Sequence, residues 1–507
     1  MGYLSIIIIK TIAIVTFSFL LFFYFRLKRQ KKHSASRLLT VIMLVGGIAF
    51  WLNLGLFRPS GTFIHKTEHF HYFLGSKYFP ELKYDGLYLA AVHANQERDP
   101  NYTAPLQVRD LRTNRVDMTV NLLDHQQEIR NRFTDARWEQ FKNDYSAFNL
   151  SDTVFLDHGY NPPPPHTFMT RLFTSWLPVN DITMLLLGLI DIILIIGMSI
   201  LVVCFFNIER AAIFTIILGI GFLYYFGWNG GALLRFDWLF ALVLSVCFLH
   251  KKKPLFAGMS FAYAVAVRIF PVVLIAGLGV YWLRKKNFKN MRLYAIGFAA
   301  ILIVMLILGS FAGTGLSAYT DSYDNFKNFK IWTTGVGMRY LLITSLDNLT
   351  GKTVDPYSLH LTDSTGDDYA KTQSDRIVLV IILTLAATAL VCLAAAYAYT
   401  PVEAFIMGLG ILFAAVPLGT YYWVILVLVV FFRPKIAVVA SLAANFLMFA
   451  WFFCALLLVL FGAVPYFYVS LGFFPASIIL CMFFIVWYGR RFLRNTPGPL
   501  KRLFFRK

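Results

Sequence analysis

Residues 182–206 read ITMLLLGLIDIILIIGMSILVVCFF, a stretch in which Asp191 is the single charged side chain. A bilayer core of about 30 Å requires a helix of about 20 predominantly apolar residues. The stretch therefore predicts a helix that crosses a membrane.

Runs of the same kind recur along the chain, so that hydrophobic residues make up 58% of it, charged residues 14%, and the mean hydropathy is +0.63. This composition is typical of a polytopic membrane protein and excludes an ordinary soluble enzyme. Long runs lie near 3–25, 38–57, 182–206, 211–228, 293–313, 376–398, 436–463 and 468–489, and shorter ones near 236–250, 255–269, 271–283, 402–417 and 421–433. We therefore predict an all-α membrane helical bundle of about thirteen spans.

The net charge of +19 comes largely from short loops between these spans. Lys and Arg cluster at Arg26–Arg37, Lys251–Lys253, Arg284–Arg292 and Arg490–Lys507. A nucleic-acid-binding surface would gather its basic residues on one folded face, so this distribution argues against nucleic acid as a partner. By the positive-inside rule the basic loops are cytoplasmic, and two long, slightly acidic loops at 58–181 and 314–375 face outward.

These boundaries divide the chain into seven segments. They are an extra N-terminal helix with a basic cytoplasmic loop (1–37), a first core helix (38–57), a large extracytoplasmic loop (58–181), membrane helices that include a short hairpin at 254–283 (182–313), a second extracytoplasmic loop (314–375), C-terminal membrane helices (376–489) and a basic cytoplasmic tail (490–507). The first helix is predicted to be retained rather than cleaved, because no basic region precedes it and Lys10 interrupts its apolar run.

The first outer loop begins with the sequence HKTEHFHY, residues 65–72, just beyond the first core helix. This places the carboxylate of Glu68 at the membrane boundary, where a titratable group can act on a lipid-borne substrate. Tyr72 follows four residues later, and Asp85 and Tyr88 about twenty residues on. A carboxylate in hydrogen-bond reach of an acceptor hydroxyl can take its proton as the hydroxyl attacks a sugar carbon.

This arrangement resembles the first outer loop of the GT-C glycosyltransferases, membrane enzymes that transfer sugars from polyprenyl phosphate donors. The resemblance implies a GT-C-like bundle in which Glu68 is the catalytic base, and Tyr72, Asp85 and Tyr88 are assigned to substrate binding. Two other interpretations of this stretch stay open. Glu68 is also interpretable as a solvated surface acid. The string His65-x-x-Glu68-His69 matches the inverted zinc-protease pattern, so His65 and His69 are candidate ligands of a divalent metal.

A second constellation lies in the apolar stretch 254–283, which has a Lys/Arg cluster on each side. Both clusters favour the cytoplasm, so we predict a hairpin of two short helices that turns at Arg268-Ile-Phe-Pro271. An Arg delivered to the far side of the bilayer needs a partner, and a lipid-linked phosphate is suitable. The alternatives are snorkelling, or pairing with Asp191 or Asp237.

The spacing Arg268-x-x-Pro271 after Ala257-Gly258 is similar to the Lys-x-x-Pro of polyprenyl-phosphate-mannose-dependent transferases and of the GPI mannosyltransferase catalytic subunit. Arg268 keeps the charge of that Lys but offers a planar fork. The resemblance implies that Arg268 binds the donor phosphate.

Weaker signals complete the candidate site. Arg235 and Asp237 follow a Gly-rich turn and are assigned to substrate binding, with an ion pair to each other or at the interface as the alternative. Arg339 in the second outer loop is a further binding candidate. Tyr421 and its neighbours are assigned to membrane anchoring. The prolines at 162–165 predict an extended segment, followed by an interfacial helix over Phe168–Leu177.

The expected function is transfer of a sugar from a polyprenyl or dolichyl phosphate donor to a glycan, lipid or protein acceptor, with inversion at the anomeric carbon. It would take place at the extracytoplasmic face of a multi-pass membrane protein. A transporter or flippase of lipid-linked sugars is the main alternative, although its usual inverted repeats are not evident in the sequence. A third alternative is a scaffold whose outer loop binds a partner.

Overall fold

A computed structural model of the chain describes residues 2–221, 224–328, 335–336, 377–416 and 418–432. It is mostly helical, as predicted. Through residue 328 the helices in chain order are α1 (Gly2–Arg29), α2 (His33–Trp51), α3 (Lys66–His69), α4 (Gly75–Lys77), α5 (Phe79–Leu82), α6 (Leu87–Arg98), α7 (Leu123–Asn131), α8 (Asp135–Tyr145), α9 (Pro164–Thr174), α10 (Asp181–Phe205), α11 (Ile208–Ile220), α12 (Phe226–Asn229), α13 (Asp237–His250), α14 (Pro254–Val267), α15 (Ile275–Arg284), α16 (Phe288–Ser310) and α17 (Ser317–Asn328). Three more helices follow at Ile377–Ala396, Pro401–Met407 and Leu409–Ala415, and a 3₁₀ helix spans Thr420–Phe431.

Four of these helices are long and apolar enough to cross a membrane, namely α1, α2, α10 and α16. The stretch 182–206 corresponds closely to α10, which begins where the Asn180 side chain accepts a hydrogen bond from the Thr183 N–H. The predicted spans at 436–463 and 468–489 lie outside the described residues. The count of thirteen spans stays a prediction.

Several of the other predicted spans are short helices. α13 and α14 have 14 residues each and are therefore only about 21 Å long, less than the thickness of a bilayer core. α14 packs against α13 and α16, whereas α15 packs against the helices Ile377–Ala396 and Pro401–Met407. The helix break predicted near Arg268 is present, since α14 ends at Val267 and Arg268 is extended.

Close packing joins the N-terminal helices to the rest of the bundle. α2 and α11 approach at Gly47 and Gly219, where an added Cβ on either residue would collide with backbone atoms of the other helix. Lys10 of α1 is fully buried, and its ammonium donates to the carbonyls of Phe50 at 2.7 Å and of Gly219 at 2.8 Å. These carbonyls lie in the last turns of α2 and α11, where carbonyl groups can accept hydrogen bonds from Lys side chains. The charge that interrupts the first apolar run therefore holds two other helix ends.

The segment predicted to be the first outer loop contains a folded unit, residues 66–175, which we call the outer domain after that prediction. It contains α3 to α9 and an antiparallel hairpin in which β1 (Gln107–Asp110) pairs with β2 (Arg115–Met118). Its core is rich in aromatic side chains, including Phe70, Tyr78, Trp138 and Phe141. The predicted extended proline segment is present only in part: Pro163 is extended, but α9 begins at Pro164, because the first helical turn tolerates proline. β3 (Gly335–Val336) pairs with β4 (Leu418–Gly419) elsewhere in the chain.

Candidate substrate site at the helix ends

Four residues singled out in the sequence meet in one buried cluster, which we call the charged site: Glu68, Tyr72, Arg235 and Arg268. Glu68 lies on α3, and Tyr72 lies in a π-helical turn, Phe70–Leu74, that follows it directly. Such turns are frequent at functional sites. Arg235 precedes α13, and Arg268 caps the end of α14. Residues up to 200 positions apart in the sequence therefore share one location.

Glu68 and Arg235 form the central contact of the site. The Oε2 atom of Glu68 lies 3.2 Å from Nε of Arg235, and the two side chains are 17% and 2% exposed. The contact is an ion pair without hydrogen-bond alignment, because neither atom has a hydrogen-bond partner among the described residues. Glu68 is thus half-buried and not tightly engaged, and a lone pair of its buried Oε2 atom is left available.

The Arg235 guanidinium is held by several groups. Its carbon lies 4.0 Å from the ring centroid of Tyr72 and 5.7 Å from that of Tyr421, and Nη2 donates weakly to Asn229 at 3.4 Å. The backbone N–H of Arg235 donates to the buried carboxylate of Asp191 at 3.0 Å. Asp191 of α10 thereby fixes the chain at the start of α13. Nη1 of Arg235 has no partner within the described part of the chain.

Arg268 is buried without a carboxylate partner. Nη1 donates to the Val267 carbonyl at 2.9 Å, Nη2 lies 3.4 Å from Nε2 of His166, and Nε has no partner in the described ranges. Asp237 instead accepts a hydrogen bond from the Tyr263 hydroxyl at 2.8 Å. Of the described carboxylates, none lies within ion-pair distance of Arg268, so the predicted alternative of a pair with Asp191 or Asp237 is not realised there.

Arg235 and Asp237 are also not paired with each other, since Arg235 contacts Glu68. Asp237 begins α13, two residues beyond Arg235, and its Oδ1 lacks a hydrogen bond among the described residues. It therefore lies at the edge of the charged site.

Asp85 and Tyr88 lie inside the outer domain and make no direct contact with Glu68 among the described residues, although Tyr88 is close enough for the charge of Glu68 to reach it. Asp85 forms a two-point ion pair with Arg132 at 2.8 and 2.9 Å and contacts His125 at 3.2 Å. Burial alone would raise the pKa of Asp85, but hydrogen bonds from His125 and Arg132 outweigh it and hold that pKa well below its usual range. The hydroxyl of Tyr88 accepts from the Gly159 N–H at 2.8 Å and lies 3.0 Å from Nε2 of His71. These contacts give both residues structural partners. The remaining candidate, Arg339, lies outside the described residues.

The two candidate metal ligands have different surroundings. Nδ1 of His65 accepts a long hydrogen bond from the Glu68 N–H at 3.4 Å and so caps α3. Burial, and next the charge of Arg58, lower the pKa of His65 well below its usual value. His69 is buried, which lowers its pKa to about 4. Both rings are therefore neutral near pH 7, as metal ligands must be. However, the described residues include no group of three or more His, Cys, Asp or Glu side chains that could hold a metal ion.

Three contributors were not assigned to the site from the sequence. His166 adjoins Arg268, and its ring is 5.9 Å from that of Tyr72. Tyr421, assigned to anchoring, faces Arg235. Arg58 was counted only as the start of the loop, yet it is 7% exposed and close enough to Glu68 for the two charges to interact. The sequence offers one signal for Arg58: it stands shortly before Glu68, at the start of the same loop.

Comparisons with protein-family models, with curated proteins and with solved structures found no match to this chain.

Proposed function

We propose that this protein is a membrane glycosyltransferase that uses a polyprenyl or dolichyl phosphate sugar as donor and Glu68 as catalytic base. The observation that carries the proposal is the charged site itself. A half-buried carboxylate with an available lone pair contacts the buried guanidinium of Arg235, that of Arg268 lies near Arg235, and both guanidinium groups keep unpaired N–H donors. The proposal accounts for both the base and the unpaired donors with one substrate.

The unpaired donors favour an anionic ligand. A buried charge that is incompletely paired costs free energy. Arg268 has no ion pair among the described residues, and the one ion pair of Arg235 lacks hydrogen-bond alignment, so a group that supplies negative charge and acceptor oxygens would stabilise both. Arg268 interacts with the positive charge of Arg235 and with the negative charge of Asp237, which lies beyond ion-pair distance. A phosphate offers several oxygens to a planar guanidinium fork. The phosphate of a lipid-linked sugar fits this requirement.

The chemistry follows from this placement. Glu68 takes the proton of an acceptor hydroxyl, whose oxygen attacks the anomeric carbon of the donor sugar. The bond from that carbon to the phosphate oxygen breaks, and the phosphate leaves with the electron pair, stabilised by Arg235 and Arg268. The products are the glycosylated acceptor, the polyprenyl phosphate and a proton on Glu68. A single displacement inverts the anomeric configuration.

The positions of the basic loops support a membrane orientation for this reaction. Lys251–Lys253 follows the far end of α13 from Arg235, and Arg284–Arg292 joins the far ends of α15 and α16. The charged site and the outer domain therefore lie at the ends of the helices opposite to these clusters. With the clusters in the cytoplasm, the site would face the extracytoplasmic side, in a multi-pass protein of about thirteen spans.

A direct test supplies the purified protein, in lipid nanodiscs, with a panel of polyprenyl phosphate sugars and measures thermal stability and release of free carrier. We expect at least one donor to raise the melting temperature and, with water as the acceptor, to be hydrolysed to free sugar and polyprenyl phosphate. A flippase would move intact donor across vesicles without producing free carrier. Absence of donor-dependent stabilisation and turnover across a panel of hexose, pentose and amino-sugar donors would overturn the proposal.

A further inference from the structure

We infer that Arg58 forms a second anion-binding subsite, separate from Arg268, which binds a phosphate or carboxylate group on the acceptor substrate. The assignment of this anion to the acceptor rests on the proposed function. The subsite itself rests on the surroundings of Arg58, which are independent of that function.

The guanidinium of Arg58 is buried and incompletely bonded. Nη2 donates to the Gly230 carbonyl at 2.6 Å, and the guanidinium carbon lies 5.9 Å from the ring centroid of Phe226. Nε and Nη1 are both buried and have no hydrogen-bond partner within the described ranges. An arginine retained only for the fold would be expected to satisfy these donors or to reach water.

The positive charge of Arg58 is also only partly balanced by its surroundings. Burial lowers the pKa of Arg58 to about 10, and the charge of Glu68 offsets only part of this effect. No carboxylate of the described chain lies within ion-pair distance of Arg58, because Glu68 directs its contact to Arg235. A bound anion would stabilise the charged form of Arg58.

Arg58 and Arg235 hold neighbouring residues of one turn. Arg58 binds the carbonyl of Gly230, and Arg235 contacts the side chain of Asn229. The His65 N–H donates to the Gly231 carbonyl at 3.0 Å in the same turn. Gly231 has a φ of +69°, and an added Cβ there would collide with the Phe63 carbonyl. This turn therefore keeps Arg58 at a fixed position near Glu68.

The order of charges separates two subsites. Arg268 interacts electrostatically with Arg235, and Arg235 contacts Glu68, which in turn interacts with Arg58. Arg58 makes no contact with Arg268 in the described structure. A donor phosphate on Arg268 and Arg235 would thus have the base as its neighbour, and an anion on Arg58 would lie beside the same base. An acceptor that carries such an anion would be oriented with its hydroxyl toward Glu68.

The experiment titrates methyl phosphate into the full-length protein at constant ionic strength and follows binding by calorimetry. The key background is Arg268→Ala, which removes one of the two arginines that bind the donor phosphate. We expect saturable binding to remain in Arg268→Ala and to weaken about 10-fold to 100-fold in the double variant Arg58→Gln/Arg268→Ala. Acetate in place of methyl phosphate tells whether Arg58 favours a carboxylate or a phosphate. Loss of all binding in Arg268→Ala would overturn the inference, because it would indicate one shared site.

Two further measurements keep the result decisive. If Arg58→Gln does not fold, Arg58→Lys in the same background serves, with an expected weakening of about 10-fold because the planar fork is lost. Unchanged affinity in the folded variant would overturn the subsite. Binding of polyprenyl phosphate by wild-type protein tests the proposed function separately. Methyl phosphate bound through Arg58 without any binding of the lipid carrier would support the subsite and contradict the glycosyltransferase.

Discussion

Two clusters of charged residues in this protein, the charged site and the Asp85 cluster of the outer domain, satisfy their charges in different ways. In the Asp85 cluster, Arg132 binds Asp85 through two nitrogens and also contacts Glu128 at 2.9 Å, while His125 lies between the two carboxylates. In the charged site one ion pair lacks hydrogen-bond alignment, and Arg268 has no carboxylate within reach in the described structure.

The difference separates charges that stabilise a fold from charges that await a ligand. In the Asp85 cluster Nε2 of His125 also lacks hydrogen-bond alignment, but the arginine and both carboxylates are hydrogen-bonded, so that removing one member leaves its partners unpaired. An incomplete network in a buried position is stabilised only when a ligand binds. Mutations in the two clusters should therefore have opposite effects on stability and on function.

The largest effect is expected for Glu68→Gln. The amide keeps the shape of the side chain but cannot accept the acceptor proton, so sugar transfer should fall about 100-fold to 10,000-fold. Donor binding, measured with the same polyprenyl phosphate sugar, should change far less. Glu128→Gln, a carboxylate of the Asp85 cluster with a largely exposed side chain, is the matched control and should retain turnover. Near-normal turnover in Glu68→Gln would place the base elsewhere.

The next effect concerns affinity for the carrier. Arg268→Ala should weaken binding of sugar-free polyprenyl phosphate about 10-fold to 100-fold, since the lost hydrogen bonds involve a charged group. Arg268→Lys should be milder, because it keeps the charge and loses only the fork. Arg130→Ala, which removes an arginine paired at the outer-domain surface, serves as control. An alanine variant that binds carrier normally but unfolds more readily would make Arg268 a structural residue.

A third prediction concerns a variant that should lose stability but keep carrier binding. Arg132→Ala should lower the free energy of unfolding of the outer domain by about 2 kcal/mol, because it breaks charged hydrogen bonds to Asp85 and leaves that carboxylate poorly paired. Carrier binding should stay within about twofold of wild type, an upper bound of about 0.4 kcal/mol. Denaturant unfolding of Arg132→Ala and of Arg268→Met provides the measurement. Equal destabilisation by Arg268→Met would remove the distinction between the clusters, since an unpaired charge should be replaceable at little cost.

The smallest effect is a dependence on pH. The pKa of Asp85 in the folded protein is below that of an unfolded aspartate, about 3.9. Its contribution to stability is therefore complete above the unfolded pKa and is lost as the pH falls through the folded one. Stability of the outer domain should decline below about pH 4. The decline should be shallower in Asp85→Asn, and an identical slope in both proteins would assign the acid sensitivity to other groups.

The sequence predicts the residues of the charged site, but it does not predict that they lie close together. Glu68, Arg235 and Arg268 each stand out because a charge beside a long apolar run needs an explanation. Their convergence depends on how α3, α13 and α14 pack, and no local pattern encodes that contact. The long helices are predictable for the opposite reason. An apolar run such as 182–206 specifies its own hydrogen bonds within one continuous segment.

Asp85 and Tyr88 show where proximity in sequence misleads. They follow Glu68 by about twenty residues, and the resemblance to an outer loop groups them with it. The chain instead turns at Lys83, a non-glycine residue with a φ of +50°, and continues into the core of the outer domain. Arg132 and His125, which bind Asp85, come from a later helix whose position is a tertiary property. The sequence analysis does not assign Arg58 to the site, because nothing in a polar stretch of sequence indicates that this arginine is buried.

The buried ammonium of Lys10 has a consequence for how the protein is made. One of its acceptors, Phe50, emerges from the ribosome soon after it, but the other, Gly219, is synthesised about two hundred residues later. For a chain that inserts as it is translated, an incompletely bonded ammonium would face hydrocarbon during that interval, at a cost of about 3 kcal/mol on insertion scales. We therefore expect α1 to take its final place only after α11 is made, and to be retained near the insertion machinery until then.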